Sequence, residues 1–153
     1  MYSLAFVSQQ KTKFKPFCNA LMDYPQLGEI HEAHSLWKFI PFIPTAIGDL
    51  DMVIIDLTHE LTWDMTMSMV KFKMQYPNIE LVALVDKTNI NFIMSCINYG
   101  ATGLLLWNPQ QSQVLAATVF QALERKGTPL SPSLAKLLIS QFQYSKNLES
   151  QRA

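Results

Sequence analysis

Apolar residues fall into two alternating patterns along the chain. The first is a set of short continuous runs: Leu4 to Val7, Gly28 to Ala33, Asp51 to Leu57 (DMVIIDL), Glu80 to Val85 (ELVALV) and Thr102 to Leu106 (TGLLL). DMVIIDL holds three consecutive β-branched residues. Continuous rather than alternating apolarity is the signature of a parallel strand covered on both faces. The run from Gly28 is the weakest of the five.

The second pattern has helical spacing and fills the gaps. Phe14, Phe17, Cys18 and Leu21 fall on one stripe, and Met65, Met69, Phe72 and Tyr76 on another that Pro77 ends. Asn89 caps a third helix with Ile90, Ile93, Met94 and Ile97 facing inward, and Gly100 closes it. Val114, Leu115, Thr118, Val119 and Leu123 make a fourth stripe. Between Ala33 and Gly48, Pro41 and Pro44 allow only a short or irregular helix. Ser131 then Pro132 starts a last helix, with Leu134, Leu137, Leu138 and Phe142 as its stripe.

Strand alternating with helix predicts an α/β doubly wound parallel sheet of flavodoxin-like (βα)₅ type, order 2-1-3-4-5, with an extra C-terminal helix. The expected division is residues 1–127 for this domain, 128–146 for the added helix and 147–153 for a polar linker or frayed end. In such a sheet, function gathers beyond the carboxyl ends of the strands. That puts Ser8, Gln9, Asp56, Val85, Asp86 and Trp107 together.

Composition narrows the classes. The 153 residues are 49% apolar and 16% charged, which suits a compact globular domain rather than a disordered one. Twelve basic residues balance twelve acidic ones, so nothing in the net charge points to nucleic acid. Cys18 and Cys96 read as buried free thiols in a reducing cytoplasm. The opening MYSLAFVSQQ has no signal-peptide pattern. No apolar run approaches the ~20 residues of a membrane helix. The expectation is a soluble cytoplasmic protein without membrane contact.

Catalytic motifs are missing. There is no GxxxxGK[ST], no GxGxxG and no Gly-x-Ser-x-Gly. His31 and His34 flank Glu32, but on a strand end they share no face, so they are read as surface or packing residues along with His59. Met65, Met67, Met69 and Met74 crowd one helix. Met69 is assigned to the core, while Met67 and Met74 are read either as plastic packing or as an adaptable partner surface.

DMVIIDL, PNIELVALVD, NYGATGLLLWNP and ALERKGTPLSPSLAKLL occur in one order and at close spacing. Together they resemble the receiver domain of LuxR-type, nitrate-regulator-like response regulators. The resemblance runs from Tyr2 to about Ile139 and is most specific between Asn98 and Pro132. It implies that Asp56 stands at the phospho-acceptor position. Ser8 and Gln9 fall where the family has an acidic pair for Mg²⁺, Val85 on its Thr or Ser, and Trp107 on its Lys. Only the acceptor is kept. Phosphoryl transfer to a carboxylate needs a cation to offset charge on the phosphoryl oxygens. One carboxylate with Ser8 and Gln9 makes at most a weak Mg²⁺ site. Asp86 and Glu60 are the nearby substitutes. Asp56 alternatively caps the turn that follows it. Trp107 either fills the vacated pocket or forms one face of a binding surface. LLISQFQYSK lacks the Trp-x-Ser/Thr-Arg with which one subgroup of such receivers binds cyclic diguanylate.

The expected protein is therefore not an enzyme. It is an atypical receiver acting through protein contacts without phosphorylation, as a homodimer, with other signalling proteins as further partners. It would control a DNA-binding domain of about sixty further residues outside this chain. Phe92, Leu138 and Phe142 are the candidate contact residues. The alternatives are a working receiver phosphorylated at Asp56, and a stand-alone adaptor or small-ligand sensor with its pocket over Asp56 and Trp107.

Overall fold

A computed structural model describes residues 1–44, 49–59 and 61–152, with side chains through Glu149. Five strands alternate with helices: β1 (Tyr2–Val7), α1 (Lys15–Met22), β2 (Leu27–Ala33), α2 (Leu36–Phe39), β3 (Met52–Asp56), α3 (Trp63–Gln75), β4 (Glu80–Val85), α4 (Ile90–Asn98), β5 (Gly103–Leu106), α5 (Ser112–Glu124) and α6 (Pro132–Arg152). All four pairings are parallel and the order is β2-β1-β3-β4-β5. This is the (βα)₅ arrangement that the apolar runs predict.

The central strands are buried on both faces, so side chains of period two feed two separate cores. Leu4, Phe6, Ile54, Val82, Leu84 and Leu105 pack with Phe17, Leu21, Leu115 and Val119 of α1 and α5. Ala5, Val53, Ile55, Ala83, Val85 and Leu104 pack with Phe39, Met69, Phe72, Ile93 and Leu134 on the other face, under α2, α3, α4 and α6. β2 pairs only with β1, and beyond buried Leu27 its residues are half-buried or exposed, as on an edge strand.

Local chemistry sets the element ends. Pro16 opens α1, the Thr62 side chain accepts from the Met65 N–H at α3, and Asn89 Oδ1 accepts from Asn91 and Phe92 at α4. Gly100 closes α4 at φ 115°, where a Cβ would stand 2.7 Å from Lys73 Cγ. The region with Pro41 and Pro44 gives the four-residue α2 and a short 3₁₀ turn, Ile40–Phe42; Gly48, at its far end, lies outside the described residues.

Several expectations need correction. In α4, Met94 is exposed and Cys96 is fully buried, so the inward face is shifted by about a fifth of a turn from the expected stripe, towards Cys96. Val114 is likewise exposed. α6 continues to Arg152, through the segment expected as a linker, because nothing after Pro132 breaks a helix. Ser131 does not cap α6 with its side chain. Its Oγ accepts the Leu106 N–H at 2.8 Å. Pro129 C=O accepts the Leu104 N–H at 3.0 Å, and Ser131 N–H donates to Leu104 C=O at 3.0 Å. α6 thus leaves directly from the free edge of β5.

Candidate functional site

β1 and β3 are neighbours, so Ser8 and Asp56 emerge side by side at the carboxyl edge of the sheet. Asp56 is buried and both of its oxygens are occupied. Ser8 Oγ donates to Oδ2 at 2.8 Å. Thr58 donates twice to Oδ1, from its N–H at 3.0 Å and its hydroxyl at 2.7 Å. The Gln10 N–H in turn donates to Ser8 Oγ at 2.9 Å, and Lys13 Nζ to Thr58 Oγ1 at 3.3 Å. The carboxylate therefore closes the turn after β3 and staples it to the turn after β1. Thr58 was not singled out in the sequence, although Asp-x-Thr at a strand end is the signal for such a turn.

The other pocket positions are occupied by groups without phosphate chemistry. Val85 is wholly buried in the α3/α4 core. Trp107 follows Leu105 by two residues and so turns to the α1/α5 side. Its ring meets Phe14 edge-on at 4.7 Å between centroids and Phe17 at 6.3 Å. Its backbone N–H donates to Val85 C=O at 2.6 Å. It therefore belongs to an aromatic core on the α1/α5 side rather than to the pocket over Asp56.

Gln9 is exposed, and Ser8 spends its hydroxyl proton on Asp56 and accepts from Gln10. That donor set does not suit a hard divalent cation, which prefers several carboxylate or carbonyl oxygens. Asp86 is exposed at the end of β4; Glu60 lies outside the described residues. Among the described residues, no three His, Cys, Asp or Glu side chains converge as a metal-binding group. Burial pushes the Cys18 and Cys96 thiols up to about 11, which leaves neither a ready nucleophile.

A cleft of about 630 Å³ opens over Asp56, but away from Trp107. Its walls are His34 and Ser35 after β2, His59 after β3, and Trp37, Thr62 and Asp64 from α2 and the start of α3. The pocket expected over Asp56 and Trp107 is thus displaced to the α2/α3 side, because Trp107 belongs to the opposite core. His34 and His59 meet there although 25 residues separate them (59 − 34). His31 lies on β2, opposite Ala5.

Phe92 is half-buried with Lys87 Nζ 5.4 Å from its ring centroid, Leu138 is half-buried, and Phe142 is 69% exposed. The three do not form one patch of equal exposure.

The structure is similar to solved receiver domains. The isolated receiver domain of RcsB from Salmonella enterica serovar Typhimurium, determined in the presence of phosphomimetic BeF₃⁻, superposes with a TM-score of 0.68 at 14% identity, covering 89% of this chain and 97% of that one. A LuxR family DNA-binding response regulator from Silicibacter pomeroyi gives 0.65 at 17% identity, covering 86% and 98%. A longer Salmonella typhimurium RcsB chain gives 0.73 at 15% identity, covering 90% of this chain and 66% of that one. The chain thus spans about two thirds of the longer RcsB chain. The fold is that of a receiver domain. No protein-family model matches the chain, and no curated protein matches it in sequence. No described helix is long and apolar enough to cross a membrane.

Proposed function

We propose that the chain is a receiver-type regulatory domain in the cytoplasm that no longer uses phosphoryl transfer at Asp56. It acts through protein contacts, as a homodimer and with other signalling proteins, to position a DNA-binding domain outside this chain. The observation that carries this reading is the hydrogen-bonded carboxylate. Asp56 accepts three hydrogen bonds from Ser8 and Thr58, and the side chains that would read out a phosphoryl group are Val85 and Trp107, both buried in the cores. Those hydrogen bonds give Asp56 a structural role that needs no metal. The appended domain is supported by the solved neighbours, described as a LuxR family DNA-binding response regulator and as two RcsB dimers bound to two parallel DNAs.

Incubation with acetyl phosphate and Mg²⁺ followed by intact mass measurement tests the central claim. The expected spectrum shows no species heavier by one phosphoryl group. A substantial adduct that disappears in Asp56→Ala would establish instead a working receiver.

The cleft beside Asp56 supports a second reading, a small-ligand sensor. Its concavity and its mix of imidazole, hydroxyl and indole groups are what ligand sites share. A ligand seated there would shift the NMR signals of the His34 and His59 rings and leave His31 unmoved. A response of all three rings, or of none, would argue against this site.

A further inference from the structure

α3 carries apolar residues on two opposite faces. Met69 and Phe72, with Met65 and Tyr76 beside them, pack into the core. Trp63, Met67, Val70 and Met74 form a second stripe at spacings of four, three and four, which at about 100° per residue lies half a turn away from the first. Trp63 is 74% and Met74 79% exposed. A surface helix ordinarily turns polar residues to water, so an outer apolar stripe marks a face with a partner.

This stripe is its own complement. Its spacings read the same from either end: Trp63 and Met74 are equally far from the midpoint of the four, and so are Met67 and Val70. Two α3 helices packed antiparallel about a two-fold axis at that midpoint would set Trp63 of each against Met74 of the other, and Met67 against Val70. The charges obey the same symmetry. Asp64 in the first turn and Lys71 seven residues on stand along one edge of the stripe, where both line a groove of about 920 Å³ between α2 and α3. Lys71 Nζ lies 4.3 Å over the Trp37 ring of α2, which holds the ammonium on that edge. A two-fold axis across an antiparallel pair brings like edges together, so Asp64 of each copy meets Lys71 of the other. Along the helix axis the two fall within about 3 Å, inside the span of a lysine side chain. A parallel pair would instead set Asp64 against Asp64 and Lys71 against Lys71. Neither residue has an ion-pair partner among the described residues, where Lys11–Glu32 is the ion pair present.

We propose that the outer face of α3 binds the same face of a second copy of this chain as an antiparallel, two-fold helix pair, with Trp63, Met67, Val70 and Met74 along the seam and an Asp64–Lys71 pair at each end. The occupant is a second copy because one helix supplies both halves of the match. It has a stripe that is symmetric about its midpoint, and an acid and a base on one edge at the separation that antiparallel pairing needs. Methionine lets such a seam adapt. From Trp63 to Met74 the patch is about 17 Å long. Interfaces that small are weak and transient, so the contact forms at concentrations on the order of hundreds of micromolar. It is separate from any contact through α6 and does not rest on the state of Asp56. The two contacts together would join copies into assemblies larger than a dimer.

Sedimentation of charge variants tests the proposal, in the whole chain carrying Phe142→Glu so that any contact through α6 is weakened. This parent should still self-associate at roughly hundreds of micromolar. Its tryptophan emission should shift to the blue with concentration as Trp63 is covered. Asp64→Lys and Lys71→Glu should each weaken the association by about ten-fold, because each sets like charges against one another at both ends. Mixed one to one, the two variants should bind each other at least as tightly as the parent binds itself, since both end pairs are then opposite in charge. Met67→Glu should weaken the association by at least as much as either charge variant. Asp64 and Met67 are exposed and Lys71 is half-buried, so these variants keep the fold, which circular dichroism verifies. A parent that stays monomeric up to about a millimolar would overturn the proposal. So would charge variants that associate as well as the parent, or a mixture no tighter than its components.

Discussion

A single hydrogen-bonded carboxylate separates two uses of this fold. With its neighbours donating, Asp56 is a clamp between the turns after β1 and β3. With acidic neighbours it would be half of a metal site. The exchange turns on residue 8. Ser8 donates to Asp56, whereas a carboxylate there can only accept and would repel. Ser8→Asp should lower stability by about 1–3 kcal/mol, since it replaces a buried donor with a second negative charge. Millimolar Mg²⁺ should restore part of that loss in the variant and leave the wild-type melting temperature where it is. A Mg²⁺ response of the wild-type chain equal to that of the variant would show that Ser8 and Gln9 already complete a site. Asp56 and Ser8 were legible as neighbours at the carboxyl edge of the sheet, because they stand at strand ends that the apolar runs delimit. Val85 and Trp107 stand at strand ends too, but both turn into the cores and neither lines the cleft. Thr58 was not, because its role depends on the turn rather than on a strand. His34 and His59 converge only once β2 and β3 have taken their places on either side of β1.

Elements were legible in proportion to how completely they are buried. β3 and β4, apolar on both faces, fall within a residue of the runs that predict them. β2 forms despite its polar residues, because its register with β1 supplies the hydrogen bonds and only one face must be buried. In α4 the phase was misjudged: Cys96 is as buried as Ile93, and a pattern that counts Met94 as the stronger apolar residue turns the helix too far. α6 shows the sharpest contrast along one element. Leu134 is fully buried against α4 and β5, Leu137 and Leu138 are half-buried, and from Ile139 onward the described side chains are exposed. An amphipathic stripe alone cannot say where its covering ends. Leu134→Ala should cost about 2–5 kcal/mol in urea unfolding, as for other buried leucines. Phe142→Ala, measured at a concentration where the chain is monomeric, should stay within about 0.5 kcal/mol of wild type. Equal losses at both positions would mean that the outer half of α6 packs on its own domain.

At the scale of the whole molecule, α6 poses a problem of balance. It is 21 residues long, about 32 Å, and only its first turns rest on the domain. Its outer half displays Ile139, Phe142, Tyr144 and Leu148 to solvent. Isolated helical segments shorter than ~12–15 residues are marginal in water, so a persistent outer half needs a cover. A second α6 is the economical one. Leu137, Tyr144 and Leu148 continue the line of Leu134 at near-heptad spacing, and Leu138 and Phe142 lie beside it, which is the arrangement two helices need to pack along a shared seam. Phe92 contributes less, since half its surface is already covered and Lys87 sits over the ring. Sedimentation at tens of micromolar should therefore show a dimer. Phe142→Glu should weaken it by about ten-fold or more, because each association would bury two carboxylates at the seam. Leu138→Glu should weaken it as well, but with some loss of domain stability, since Leu138 also touches the core. Phe142 is thus the cleaner probe. Hydrogen exchange at Gln141 to Leu148 should slow with protein concentration in the wild type and stay fast in Phe142→Glu. A strict monomer in which those amides are protected at every concentration would place the cover within one chain and remove α6 as the dimer contact.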